Sequence, residues 1–328
     1  MAPLRVGNKV FVGISGAELG ARGFVAALDV NTGRELWRAW STGPDADVLI
    51  GSRFKPFYPK DKGKDLGVTS WPGTLWKQGG GTVWNWLTYD PQLNLLFYGT
   101  ANAAPWNPDM RPGDNKWSAT IFARDPDTGE AIWAYQVTPH DSWDYDAISE
   151  NIAVDLPFQG TTRKLLVHFD KNGFAYTLDR ATGQVLTARK FVPANWATGI
   201  NLGSGLPDVN HLKVTREGVH VKDICPSPLG GKEHTPAAFS PITSLFYVPA
   251  INICVDYEAL RVNFIRGTPF LGAAITLKPG PSATGSQSEF IAWDAVSGRR
   301  VWRILEPLPL FGGALATAGN LVFYGTME

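Results

Sequence analysis

An eleven-residue segment recurs four times along this 328-residue chain: ALDVNTGRELW (Ala27 to Trp37), ARDPDTGEAIW (Ala123 to Trp133), TLDRATGQVLT (Thr177 to Thr187) and AWDAVSGRRVW (Ala292 to Trp302). Each carries Asp at its third position and Thr/Ser-Gly at its sixth and seventh, and three of the four close on Trp. Asp accepts hydrogen bonds from the backbone ahead of it, and Gly takes a positive φ at no steric cost, so Asp-x-x-Thr/Ser-Gly specifies a tight turn. The flanks alternate in polarity, and each segment reads as a β-hairpin. The four Asp residues, Asp29, Asp125, Asp179 and Asp294, lie roughly two, one and two units of about 50 residues apart, a blade-sized period. Four short antiparallel strands per unit, arranged radially, give an all-β β-propeller. The runs Leu95 to Asn102, Ser244 to Asn252 and Leu321 to Glu328 read as further blade strands, and at about 50 residues per blade the chain is expected to hold roughly six blades. An unrelated β-sandwich also has short strands, but it gives no reason for four aligned copies of one turn.

Composition fits this reading. The 35 glycines and 24 prolines interrupt long helices, while 44% hydrophobic and 12% aromatic residues, 13 of them Trp, supply a large core. Thirty Lys and Arg balance thirty Asp and Glu with no basic run, which argues against a nucleic-acid partner. No stretch approaches the roughly 18 consecutive apolar residues of a spanning helix. The opening MAPLRVGNKVFVG has no secretory-signal pattern and reads as strand at once, and LVFYGTME closes without a capping element, so the chain is expected to begin and end inside a domain. Cys225 and Cys254 are the only cysteines; one disulfide and two free buried thiols both fit that count.

A propeller is a scaffold, so function is read from particular residues. In TPHDSWDYDAISEN, Asp141, Asp144 and Asp146 fall within six residues, and in extended chain Asp144 and Asp146 face the same way. Adjacent carboxylates repel unless a cation neutralises them or one holds a proton. Such a set suits a hard cation; a solvated acidic loop is the plain alternative. GISGAELGARG places Glu18 in a glycine-rich turn where backbone N–H groups can approach a ligand, GGGTVWNW sets Trp84 after three glycines as a surface for a planar group, and GTANAAPWN ends a strand with the neutral oxygen donor Asn102. Taken singly, each of these segments is accounted for by turns and core packing.

Together and in this order, SGAELG, GGGTVWNW, GTANAAPWN, MRPGDNKW, TPHDSWDYD, DKNGFAYTLDR, DICPS and GGALATAG resemble the large subunit of the pyrroloquinoline quinone (PQQ) dependent methanol and ethanol dehydrogenases, over essentially the whole chain. The resemblance implies an eight-bladed propeller with tryptophan-docking repeats, of which residues 1–328 would be a single partial domain lacking blades at both ends. It implies Glu18, Asn102 and Asp144 as metal ligands, with Asp144 also the catalytic base. Trp84 would stack under the quinone, Ser15, Gly16, Ala17 and Thr82 would bond its rim, and Lys171 would sit near its reactive oxygens. Asp146 corresponds to the additional Asp of the lanthanide-type branch, where calcium-type enzymes carry a small residue. Three formal negative charges from Glu18, Asp144 and Asp146 match a trivalent ion better than Ca²⁺, which stays the alternative.

The activity implied is oxidation of a small primary alcohol, methanol or ethanol, to the aldehyde, with electrons leaving one at a time to a c-type cytochrome. The family also implies a periplasmic location, a homodimer, at most peripheral membrane association, and a Cys225–Cys254 disulfide. The wording departs from the family in places. Its adjacent-cysteine ring and a PQQ-contacting arginine precede SGAELG and have no counterpart in this chain. Phe311 stands where Trp is usual, and Gly231-Lys232-Glu233 is closer to the lanthanide branch, making Glu233 a cofactor contact by position. A non-catalytic propeller scaffold is the rival reading, and the joint presence of Glu18, Asn102, Asp144 and Asp146 favours the enzyme lineage.

Overall fold

A computed structural model describes residues 2–327; Met1 and Glu328, the outermost residues of the expected first and last strand runs, lie outside the described residues. Three four-stranded antiparallel meanders come first. They are β1 (Leu4–Val6), β2 (Lys9–Gly13), β3 (Phe24–Asp29) and β4 (Glu35–Trp40); β5 (Leu87–Asp90), β6 (Leu95–Gly99), β7 (Thr120–Arg124) and β8 (Ala131–Gln136); and β9 (Asn151–Phe158), β10 (Thr161–Phe169), β11 (Phe174–Asp179) and β12 (Val185–Lys190). A hairpin of β13 (Ala197–Asn201) and β14 (Leu206–Val209) and then β15 (His220–Ile224) follow. The fourth meander comprises β16 (Ala238–Ser240) and β17 (Leu245–Ile251), which pair across an excursion, β18 (Ile253–Ala259) and β19 (Ala273–Pro279), with β20 (Ser288–Asp294) and β21 (Arg299–Glu306). β18 and β19 join β15 in a three-stranded sheet, and β22 (Ala314–Ala316) pairs with β23 (Val322–Tyr324).

Among the described residues there are thus four four-stranded sheets, one three-stranded sheet and two two-stranded ones; the four-stranded sheets are complete blades and the β22–β23 pair a partial one, against the roughly six blades expected from the period. The difference lies in the connections. Residues 41–86, 191–237 and 252–287 form long excursions, so the average spacing of about 50 residues per blade overstates the strand content. Among the described residues, helical segments are single turns of three or four residues, and none is long and apolar enough to cross a membrane.

All four repeats form the turn their residues specify. Oδ1 of Asp29, Asp125, Asp179 and Asp294 accepts the N–H groups two and three residues ahead. Gly33, Gly129, Gly183 and Gly298 stand at φ of 69°, 75°, 75° and 65°, and each donates its N–H back to the Asp carbonyl. Two of the three closing Trp residues dock on the next sheet's turn: Trp37 Nε1 donates to Pro126 O at 3.2 Å, and Trp133 Nε1 to Arg180 O at 3.3 Å, whereas Trp302 is 40% exposed and packs against Tyr247 and Phe290 of its own sheet. A Cβ on Gly129 or Gly183 would lie 2.6 Å from the docked indole, so these glycines are needed for close approach as well as for φ. Where the third repeat has Thr187 instead of Trp, Thr177 Oγ1 supplies the link, donating to Ala295 O at 2.8 Å.

Side-chain alternation puts both sheet faces to use. In the second meander Leu96 and Tyr98 join Phe11, Trp37 and Phe122 between the first and second sheets, while Leu95 and Phe97 join Trp133, Tyr135 and Tyr176 toward the third. Phe169, Phe246 and Trp293 fill the space between the third and fourth.

Cys225 and Cys254 form a disulfide, tying the segment after β15 to β18. It closes a 29-residue loop, for which chain entropy gives about 3–4 kcal/mol. The Cys225→Ser/Cys254→Ser double variant is expected to unfold in urea with a stability lower by that amount. A denaturation midpoint equal to that of the oxidised parent would show that the bridge adds nothing.

Candidate active site

In a four-stranded up-and-down meander, connections leaving the second and fourth strands emerge at one end of the sheet, and turns leaving the first and third strands, the Asp-x-x-Thr/Ser-Gly turns among them, at the other. The candidate residues lie on the former. The loop after β2 carries Ser15 to Glu18, the segment before β5 carries Thr82 and Trp84, the loop after β6 carries Asn102, the connection after β8 carries Asp144 and Asp146, the turn after β10 carries Lys171, and the segment before β16 carries Glu233. Ser15, Gly16, Glu18, Thr82, Trp84, Asp144, Asp146, Lys171 and Glu233 line one cavity of about 210 Å³. Segments as far apart in sequence as Ser15 and Glu233 converge there only because the sheets are arranged around it.

Close backbone contacts form the cavity wall. Gly16, at φ 104°, accepts the N–H groups of Leu19 and Ala21 at 3.0 Å and turns the chain so that Ala17 is buried and Glu18 faces the cavity. Gly81 N–H donates to Asn102 O at 2.9 Å, and Ala101 N–H to Thr82 O at 2.8 Å, bonding the glycine-rich segment to the loop after β6. A Cβ on Gly80 would stand 2.5 Å from Asn102 O, so only glycine permits that approach. Asn102 is 1% exposed, and its backbone N–H donates to Asp146 Oδ1 at 2.5 Å. Asn102 thus touches the acidic pair through its main chain, although it does not line the cavity itself.

Lys171 organises the charges. Its Nζ lies 3.0 Å from Asp144 Oδ2, 3.3 Å from Asp146 Oδ2 and 3.6 Å from Glu233 Oε1. Burial opposes its charge, but the three carboxylates outweigh that and hold the ammonium well above the usual lysine range. Burial dominates for the acids: it drives Asp144 well above the usual carboxylate range against the pull of Lys171, with Asp146 and Glu18 adding to the rise. Asp146 is pushed up to about 7, again by burial first, with Lys171 opposing. Excess negative charge here lacks full compensation.

Two residues had no role in the sequence reading beyond their segments. Lys232, fully buried, donates from Nζ to Glu150 Oε2 at 2.7 Å and to Glu233 O at 3.1 Å, while Glu150 Oε1 accepts Ala237 N–H. This pair fixes the segment that presents Glu233. Its signal is a lysine beside glycines in GGKEH, and nothing along the chain points to its partner 82 positions away. Phe311 is exposed and does not line this cavity; it borders a separate one with Ile253, Leu277 and Pro309.

The donor chemistry fits a hard cation. Glu18, Asp144 and Asp146 face one cavity, both Asp residues are raised by burial, and Asp144 Oδ1 is buried without a hydrogen-bond partner among the described residues. Among the described residues, no three His, Cys, Asp or Glu side chains are already drawn together as a metal cluster; Asp144 and Asp146 are instead paired with Lys171. The half-buried Trp84 indole on the same wall offers a flat surface of the kind a planar ring system covers.

The family model described as "PQQ: Glucose/ethanol/alcohol dehydrogenase, beta-propeller domain" matches residues 1–200. The lanthanide-dependent methanol dehydrogenase of Methylacidiphilum fumariolicum (strain SolV) is 50% identical over 100% of this chain and 54% of its own length. Methanol dehydrogenase [cytochrome c] subunit 1 of Methylorubrum extorquens is 43% identical over 100% of the chain and 53% of that protein. A solved structure, "Europium-containing methanol dehydrogenase", superposes with a TM-score of 0.97 at 50% identity, covering 99% of this chain and 57% of that one. The chain spans about half the length of the curated relatives it matches.

Proposed function

Because the chain belongs to the PQQ-dependent glucose/ethanol/alcohol dehydrogenase β-propeller family, we propose that it oxidises a small primary alcohol, methanol or ethanol, to the aldehyde, as one domain of a periplasmic quinoprotein that passes electrons to a c-type cytochrome. The observation that carries this reading is the single cavity shared by Glu18, Asp144, Asp146, Lys171 and Trp84, with one Asp144 oxygen left unpartnered.

In this reading Glu18, Asn102, Asp144 and Asp146 would hold a lanthanide ion, with Ca²⁺ as the alternative, while Trp84 would offer its indole face to PQQ and Ser15, Gly16, Ala17, Thr82, Lys171 and Glu233 would contact it. When bound, the quinone supplies a two-electron acceptor and the cation a Lewis acid that polarises it and keeps the carboxylates ionised. Asp144 takes the proton of the alcohol hydroxyl at its carboxylate. Lys171, bonded to Asp144 and Asp146, orients both side chains. Burial of Asp144 and Asp146 limits competing water and strengthens charge interactions inside the cavity. Asp146 adds a third carboxylate charge to those of Glu18 and Asp144, which favours a trivalent over a divalent ion.

The test is to incubate the purified chain with PQQ and La³⁺ or Ca²⁺ and to follow dye reduction with methanol and with ethanol. Turnover that requires both PQQ and metal is expected, and failure to bind PQQ in an absorbance titration would support a non-catalytic propeller instead. Asp146→Ala is expected to weaken La³⁺ binding by roughly tenfold or more with a smaller effect on Ca²⁺. An unchanged metal preference would remove Asp146 from the ligand set.

A further inference from the structure

Asp144 is held in an unusual backbone conformation, with φ at 68°, the left-handed region that residues with a Cβ seldom occupy. Such a conformation persists only where the surroundings enforce it. We propose that Asp141, a carboxylate outside the ligand set, is the positioning residue that enforces it. Its Oδ1 accepts the N–H of Trp143 at 3.0 Å and its Oδ2 the N–H of Tyr145 at 3.1 Å, so one side chain grips the backbone on both sides of Asp144. Asp141 is 1% exposed, and water cannot easily replace either bond.

The grip is itself anchored. Arg111, also 1% exposed, donates from Nη2 to the Asp141 carbonyl and to Trp106 O, from Nε to Pro105 O at 2.6 Å, and from Nη1 to Asn115 Oδ1 at 2.8 Å. This ties the Asp141 main chain to the loop that carries Asn102. The flanking side chains are fixed from the opposite direction: Trp143 Nε1 donates to Lys213 O and Tyr145 OH to Pro226 O, both at 2.6 Å, and Thr215 Oγ1 donates to Ser142 O at 2.7 Å. These contacts immobilise the neighbours of Asp144, while among the described residues it is Asp141 that bonds the N–H groups bracketing it. The direction of the Asp144 carboxylate therefore depends on a second carboxylate three residues earlier. Asn would be a poor substitute, since its NH₂ group must face one of two backbone donors.

The inference rests on Asp144 acting at the reaction centre, and the experiment separates the two. Wild type and Asp141→Asn are compared by Eu³⁺ luminescence titration, by kcat and KM for methanol with PQQ present, and by hydrogen exchange resolved to the Trp143 and Tyr145 amides. Asp141→Asn is expected to bind Eu³⁺ roughly 10- to 100-fold more weakly and to lose kcat by about the same factor, with KM for methanol little changed. Equal Eu³⁺ affinity and equal kcat in the two proteins would overturn the proposal. Should Asp141→Asn not fold, exchange in the wild type decides: protection of both amides at the level of the strand core supports the grip, and free exchange overturns it. A wild type that binds Eu³⁺ neither with nor without PQQ and turns over no alcohol refutes the functional reading instead, and the exchange rates still report on Asp141.

Discussion

Asp144→Asn is expected to lower kcat for alcohol oxidation by roughly a hundred- to ten-thousand-fold while the protein remains folded. The substitution keeps shape and hydrogen-bonding atoms but removes the carboxylate that would accept the hydroxyl proton. Asn also tolerates the left-handed backbone seen at this position, so the main chain has no reason to move. Lys171 loses one of its three acidic neighbours but keeps Asp146 and Glu233, which limits the structural cost. Steady-state kinetics with saturating PQQ and metal, alongside a thermal melt, would measure both effects. Activity within a few-fold of the parent, in a variant that melts normally, would exclude Asp144 as the base.

Asp61→Ala is expected to destabilise the fold by about 3–5 kcal/mol. Asp61 Oδ1 accepts from Lys116 Nζ at 2.6 Å, and the side chains are 0% and 2% exposed. Lys116 Nζ also donates to Gln136 Oε1 at 3.1 Å, which is too little compensation for a buried ammonium left alone. The pair joins the excursion of residues 41–86, which ends in Thr82 and Trp84, to the loop between β6 and β7. Its loss should therefore loosen one wall of the cavity as well.

Lys60 lies next to this pair, its pKa lowered to about 8 by burial first, with Asp61 pulling it upward and Lys116 pressing it down. Removing Asp61 lowers it further. A lysine with a depressed folded-state pKa costs stability once protonation is imposed, so the deficit of Asp61→Ala should grow as pH falls through about 8. Urea denaturation at pH 9 and pH 7 would show this. A deficit below about 1 kcal/mol would mean that solvent reaches Lys116, against the burial seen here.

The repeats were the most legible part of the chain, because each turn is encoded within eleven consecutive residues. Asp29, Asp125, Asp179 and Asp294 make the local bonds their spacing implies, and the docked indoles of Trp37 and Trp133 explain why Trp closes the repeat. Blade number was less legible. Period alone cannot separate strand from excursion, and the residues between β4 and β5 or between β12 and β16 use turn-rich composition like that of the blades. The candidate site was readable as a set of segments through the family resemblance. Residue chemistry on its own left each segment compatible with an ordinary turn or core residue.

What the sequence by itself determined is therefore local: the hairpin turns, the glycines that need positive φ, and the types of side chain available for chemistry. Only the tertiary structure decided which of those side chains meet. It placed Lys171 among Asp144, Asp146 and Glu233, put the backbone N–H of Asn102 rather than a side-chain contact on Asp146, and joined Lys232 to Glu150 and Asp61 to Lys116. The physical reason is range. A turn is stabilised by bonds spanning two or three residues, whereas a buried charge is tolerable only if a partner arrives from elsewhere in the chain, and that partner is chosen by the packing of whole sheets.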